Sequence, residues 1–168
     1  MNIDLRNITD PADMACAEIA ALWTHYIDHS IVTFNPVPKN AADIGHAITQ
    51  KNSAGDPMIA AYRGEQFLGF ATYGPFRNGA GYKFSKEHTI MLNDQAKGSG
   101  LGRRLMTALE TRATQQNIQS LWAGIAGENT ATIDFHTRLG FQHIATIDQI
   151  GWKFDRWHDL VLMRKRLR

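Results

Sequence analysis

The stretch Lys97-Gly98-Ser99-Gly100-Leu101-Gly102 limits what this chain can fold into more than any other part of it. An apolar run, Thr89-Ile90-Met91-Leu92, comes just before, and Leu101, Leu105, Leu109 and Ala113 follow at helical spacing. The order strand, glycine loop, helix puts a tight turn at a helix N-terminus. Glycine tolerates positive φ and lets the backbone approach a ligand closely. N–H groups from Gly98 to Arg103 can then converge on a phosphate where the helix dipole favours negative charge. Lys97 and Arg103 would add point charge. A flexible connection with no ligand is equally consistent with the glycines alone. Two familiar phosphate motifs are excluded. No Gly-Lys-Ser/Thr ending is present, and a dinucleotide fingerprint needs an acid roughly 20 residues on, where Leu121 to Gly124 carry none.

At 168 residues the chain suits one domain, spanning 1–168, able to bury a core without staples. A 43% hydrophobic and 20% charged composition is ordinary for a soluble globule. Cys16 has no disulfide partner and falls in an expected helix, which points to a buried thiol in a reducing compartment. No leader or long apolar run is apparent, so the expected location is cytoplasmic, with no membrane partner. The net charge is +2, and the basic tail Arg164 to Arg168 reads as a solvated end, so no nucleic-acid partner is expected. His25 and His29 lie four apart without a third ligand, so no metal is expected.

Strands are expected at 2–8, 58–62, 66–73, 84–93, 118–126, 141–150 and 157–167. Helices are expected from Asp10-Pro11 to about Ser30, over 40–51, after the glycine loop, and after Asn129. The pattern describes one α/β (α+β) domain whose sheet is mixed and largely antiparallel. In the strand before the loop, alternation puts Glu87, Thr89 and Met91 on one face and His88, Ile90 and Leu92 on the other.

About thirty residues past the loop stands Asn129-Thr130-Ala131-Thr132-Ile133-Asp134-Phe135-His136-Thr137-Arg138-Leu139-Gly140-Phe141. With it the chain resembles the GNAT superfamily of acyl-CoA-dependent N-acetyltransferases. Lys97 replaces the usual Arg/Gln of the family's Arg/Gln-x-x-Gly-x-Gly loop, and Asn129 to Phe141 matches its Asn-led helix ending in Gly-Phe. Thr33-Phe34, Glu87-His88 and Lys153-Phe154-Asp155-Arg156-Trp157-His158-Asp159 make it most similar to the phosphinothricin and methionine sulfoximine acetyltransferases. Asp155 stands where that branch has glycine, a turn position where Asp tolerates positive φ better than most residues.

The resemblance implies a twisted sheet flanked by helices, with the Glu87 strand splayed from the next. It implies that acetyl-CoA adds to the free edge and meets backbone of Ile90, Met91 and Leu92, with its pyrophosphate on Lys97, Gly98, Ser99, Gly100, Leu101, Gly102 and Arg103. It also implies a homodimer.

Acetyl transfer to an amine needs a base and donors that polarise the thioester carbonyl. Glu87, in an otherwise apolar strand, is the base candidate, since partial burial would raise its pKa; the bland reading is a surface acid at a sheet edge. His88 matches a histidine of the sulfoximine branch and equally suits a core edge. His136 takes the place where many family members carry a tyrosine acid, and structural packing is an equal reading. Asn129 is a good N-cap, and the resemblance adds a bond to the cofactor. Arg77 could clamp an acceptor carboxylate, with Phe34, Phe76 and Tyr82 as pocket walls. The expected reaction moves acetyl from acetyl-CoA to the primary amine of a small amino-acid-like molecule by direct transfer. The alternatives are a protein or peptide N-acetyltransferase, which Arg77 disfavours, and a non-catalytic acyl-CoA-binding sensor, which Glu87 disfavours.

Overall fold

The computed structural model describes residues 2–168, and among these seven strands form one sheet in the order β1-β2-β3-β4-β5-β7-β6. They are β1 (Ile3–Asn7), β2 (Met58–Arg63), β3 (Gln66–Pro75), β4 (Ser85–Leu92), β5 (Ser120–Ala126), β6 (Gln142–Lys153) and β7 (Arg156–Arg166). The helices are α1 (Ala15–His29), α2 (Ala41–Ala54), α3 (Leu101–Gln115) and α4 (Thr130–Arg138). Every neighbouring pair is antiparallel except β4–β5.

The alternation of β4 sorts its side chains onto two cores. Met91 joins α1 and α2 through Ile19, Ile44, Ile48 and Phe70. Ile90 and Leu92 pack instead beside Leu101, Leu105, Met106 and Leu109 of α3. Each helix thus buries one apolar stripe against its own face of the sheet.

Local chemistry sets the boundaries. The helix expected from Asp10-Pro11 starts later, at Ala15. Asp10 Oδ1 instead accepts from the Ala12 N–H at 2.8 Å and Asp13 Oδ1 from the Ala15 N–H at 2.8 Å, turns that compete with helix. α2 opens with a reciprocal capping box between Asn40 and Asp43, and it ends at Gly55 with φ 76°. β6 runs to Lys153, three residues beyond the expected Ile150, because Lys153 pairs with Arg156 across a two-residue turn. Phe154 and Asp155 hold that turn at φ 50° and 57°. Asp155 thus takes the left-handed conformation a glycine would. The Cys16 thiol is buried and lies 3.5 Å from the Pro11 carbonyl. Among the described residues no helix is long and apolar enough to cross a membrane.

Candidate active site

β4 and β5 share only three rungs, Ser85↔Ser120, Lys86↔Leu121 and Glu87↔Trp122. β3 stays paired with β4 as far as Leu92, while β5 turns away to follow β7. From His88 onward the β5-facing edge of β4 therefore has no strand partner, which leaves a V-shaped cleft with free backbone groups on one arm. One of these is already taken, since the Tyr26 hydroxyl donates to the Leu92 carbonyl at 2.7 Å.

The cleft holds a cavity of about 250 Å³. Trp23, Val32, Thr33 and Phe34 wall one end, Ala123 to Ala126 and Leu160 form the β5 side, and Asn129, Thr132 and His136 come from the α4 side. Glu87 stands at the apex. A Cβ on Gly124 would lie 2.8 Å from Glu87 Oε1, so glycine at 124 is the notch that admits the carboxylate. The carboxyl reaches solvent through the cleft, yet the protein atoms around it strip enough water for burial to push its pKa above the ordinary carboxylate value.

At the phosphate loop, Gly98 and Gly100 adopt φ 73° and 80°, and a Cβ on either would meet nothing within 4 Å. They are glycines for conformation. Gly102 differs, because a Cβ there would come within 3.1 Å of the Phe135 ring, so it serves the packing of α3 on α4. All three glycines were expected to supply positive φ and close approach, and positive φ is found at two of them, Gly98 and Gly100. Leu101 is wholly buried, leaving only its backbone to a ligand, and its N–H already faces Ser99 Oγ at 3.4 Å. Arg103 is exposed at the start of α3. The Lys97 ammonium pairs with Asp94 at 2.6 Å and lies 5.5 Å from the Tyr26 ring centroid.

Asn129 caps α4, its Oδ1 accepting from the Thr132 N–H at 3.2 Å, and it also lines the cleft. His136 and His88 are joined Nε2 to Nε2 at 2.9 Å, and His136 Nδ1 lies 2.8 Å from the Thr132 carbonyl. The partners fix the tautomers. His136 donates Nδ1–H to Thr132, so its Nε2 accepts from His88 Nε2–H, and His88 Nδ1 is left buried without a partner. Burial holds both rings neutral, pushing His136 down and His88 down to about 3, the latter aided by its neighbour. Of the two readings of His136, acid or structural packing, the geometry fits packing: Nδ1 is engaged within α4 by the Thr132 carbonyl, and Nε2 ties α4 to β4 through His88.

Arg77 and Tyr82, expected at the acceptor, lie on the exposed segment after β3, where the guanidinium sits 5.8 Å from the Tyr82 ring centroid. Neither lines the cavity. Phe76, expected with them as a wall, is outside the lining too and stacks at 4.4 Å on Trp122, the rung partner of Glu87. Sequence reasoning missed Val32, Gly124 and Leu160, which carry no chemical signal, and Trp23 and Tyr26, which read as an ordinary core stripe. His25 and His29 stack at 4.9 Å on α1. Among the described residues no group of three or more His, Cys, Asp or Glu is arranged to hold a metal.

Known proteins are similar to this chain in sequence and fold. The chain is 32% identical over 150 residues to an L-methionine sulfoximine/L-methionine sulfone acetyltransferase of Pseudomonas paraeruginosa, covering 89% of this chain and 87% of that one. It is 29% identical over 150 residues to a phosphinothricin N-acetyltransferase of Alcaligenes faecalis, covering 89% and 76%. An acetyltransferase of Salmonella typhimurium, solved with its cofactor acetyl-CoA, superposes with a TM-score of 0.92 at 29% identity, covering 99% of this chain and 94% of that one. The acetyltransferase (GNAT) family model matches residues 19–141, taking in both arms of the cleft, the glycine loop and α4, and the chain is a member of that family.

Proposed function

We propose that this acetyltransferase moves the acetyl group of acetyl-CoA to the primary amine of a small amino-acid-like acceptor, of the methionine sulfoximine, methionine sulfone or phosphinothricin type. Transfer is direct, in a ternary complex, with Glu87 as general base. The observation that carries this reading is the position of Glu87, at the apex where β4 and β5 part and beside the unpaired backbone of β4. An alkyl ammonium with a pKa of about 10 is almost wholly unreactive at neutral pH. A carboxylate poised by burial takes its proton, directly or through a water, the freed amine attacks the thioester carbonyl, and the tetrahedral adduct collapses with C–S cleavage, its remaining ammonium proton passing to the departing CoA thiolate through solvent. Backbone N–H groups among Ile90, Met91 and Leu92 polarise that carbonyl, and the amides from Gly98 to Arg103 hold the pyrophosphate. The names of the relatives support the acceptor class. The volume of the cleft cavity, about 250 Å³, and its wall of Val32, Thr33 and Phe34 suit a small acceptor.

The test is acetyl-CoA turnover over free amino acids, their sulfoximine, sulfone and phosphinic analogues, polyamines and peptides, with wild type and Glu87→Gln. Glu87→Gln should lose roughly 10²–10⁴ in kcat with acetyl-CoA affinity kept. Turnover confined to peptides would reject the acceptor class, and full turnover by the Gln variant would reject the base.

A further inference from the structure

We infer that Lys153, which lies outside the cleft lining, selects the acceptor by clamping the 30–34 segment that walls it. The inference rests on the proposed acceptor reading, since it concerns which amine fits.

The wall is a segment of irregular backbone. Over residues 30–35 the chain makes no strand, and its local hydrogen bonds are short-range, such as Ser30 Oγ to the Tyr26 carbonyl and the Asn35 N–H to Thr33 Oγ1. Val32, Thr33 and Phe34 nonetheless define one end of the cavity. What holds them comes from the β6–β7 turn, more than a hundred residues away. Lys153 Nζ donates to the Ser30 and Thr33 carbonyls, each at 2.7 Å, and only 5% of the residue is exposed. An ammonium buried against main-chain carbonyls is costly, and burial holds Lys153 below the ordinary lysine value. Taking it away would leave two carbonyls without their donor.

The same turn grips the Phe34 side chain. A Cβ at Gly151 would overlap the Phe34 ring, so the ring lies flat on that glycine. His158 stacks on it at 5.6 Å and 22°. His158 is itself held through Nε2 to the Lys153 carbonyl at 3.0 Å and through Nδ1 to Glu128 at 3.2 Å. Backbone and ring of the wall are therefore fixed from one point, whose centre is Lys153.

Lys153→Met keeps length and removes the donors. Its kcat/KM is compared with wild type on methionine sulfone and on the S-ethyl homologue, and amide exchange is read over residues 31–35. The wild type should discriminate between the two acceptors, and the variant should lose about tenfold of that ratio, with the KM for acetyl-CoA held within twofold. Exchange at 31–35 should rise at least tenfold, and Lys153→Gln, which retains an N–H donor, should fall between. A lowered Tm with an unchanged ratio would reduce Lys153 to a structural role and overturn the inference, as would unchanged exchange at 31–35. If Lys153→Met does not fold, the Gln variant decides by the same two readouts. If wild type acetylates no amine, the proposed acceptor reading fails, and the exchange comparison alone decides whether the clamp exists.

Discussion

Gly124→Ala tests whether the placement of Glu87 matters to the chemistry. The new methyl would stand 2.8 Å from Glu87 Oε1, where ordinary contact begins near 3.4 Å, so the carboxylate must retreat by about 0.6 Å. Leu160 Cδ1, at 3.5 Å, is already at a tolerable distance and need not move. A misplacement of about 1 Å at a reacting group can cost 10²-fold, so this one should lower kcat on the order of tenfold, or about 1.4 kcal/mol in barrier. Stability should move the other way. Gly124 does not have positive φ, and alanine there narrows the unfolded ensemble, worth about 0.4–1 kcal/mol. Steady-state kinetics at saturating acetyl-CoA, paired with a thermal melt, reads both quantities. A less active and more stable enzyme is the expected pair. Wild-type kcat in a folded variant would refute the argument that the position of this carboxylate limits the reaction.

Gly100→Val, at φ 80°, forces a β-branched residue into the left-handed region and should abolish acetyl-CoA binding by calorimetry, whereas Gly102→Ala should press on Phe135 and cost stability first. The buried His88 ring should resist protonation, so its signals followed by NMR should stay neutral down to pH 5. With His88 at about 3 in the folded state and 6.5 as its ordinary value, the unfolded chain holds the extra proton between them. Stability then falls as pH drops from 6.5 toward 3, by up to about 1.4 kcal/mol per pH unit from this group, and a His88 signal titrating near 6.5 would dismiss the pairing. Phe154→Asn combined with Asp155→Gly should relieve the left-handed turn by about 1 kcal/mol, seen as a Tm rise of about 2–4 °C, and an unchanged melt would show that the turn carries no strain.

The sequence was most legible where one residue type answers one physical demand. Gly98 and Gly100 mark positive φ, the Leu101 to Ala113 stripe marks α3, and the alternation from Glu87 to Leu92 sorts β4 onto two cores as expected. It misled where a local motif has two outcomes, as at Asp10-Pro11, where a helix start and an aspartate turn look alike. Gly102 belonged to the same loop pattern but answers to Phe135, a contact across α3 and α4 that spacing does not reveal. The acceptor wall was the least legible part. Phe34 could be named, but its placement by Gly151, His158 and Lys153 depends on packing between distant segments. Arg77 carried the right chemistry for a carboxylate, yet it lies on an exposed segment outside the cavity lining.

The three rungs between β4 and β5 also bear on how the molecule assembles. Strands β1 to β4 are sequential antiparallel neighbours, and β5, β7 and β6 form a second antiparallel group in which β5 pairs with β7 rather than with β6. Short links close β2–β3, β3–β4 and β6–β7, whereas β1–β2 pairs across both α1 and α2, β5–β7 pairs across α4 and β6, and the parallel seam between the groups requires the α3 crossover. That seam ends at Glu87, so the junction of the two groups is also the place proposed for the chemistry. Sequence changes that loosen the seam are therefore expected to blunt activity before they unfold either group, since each group keeps its own ladder.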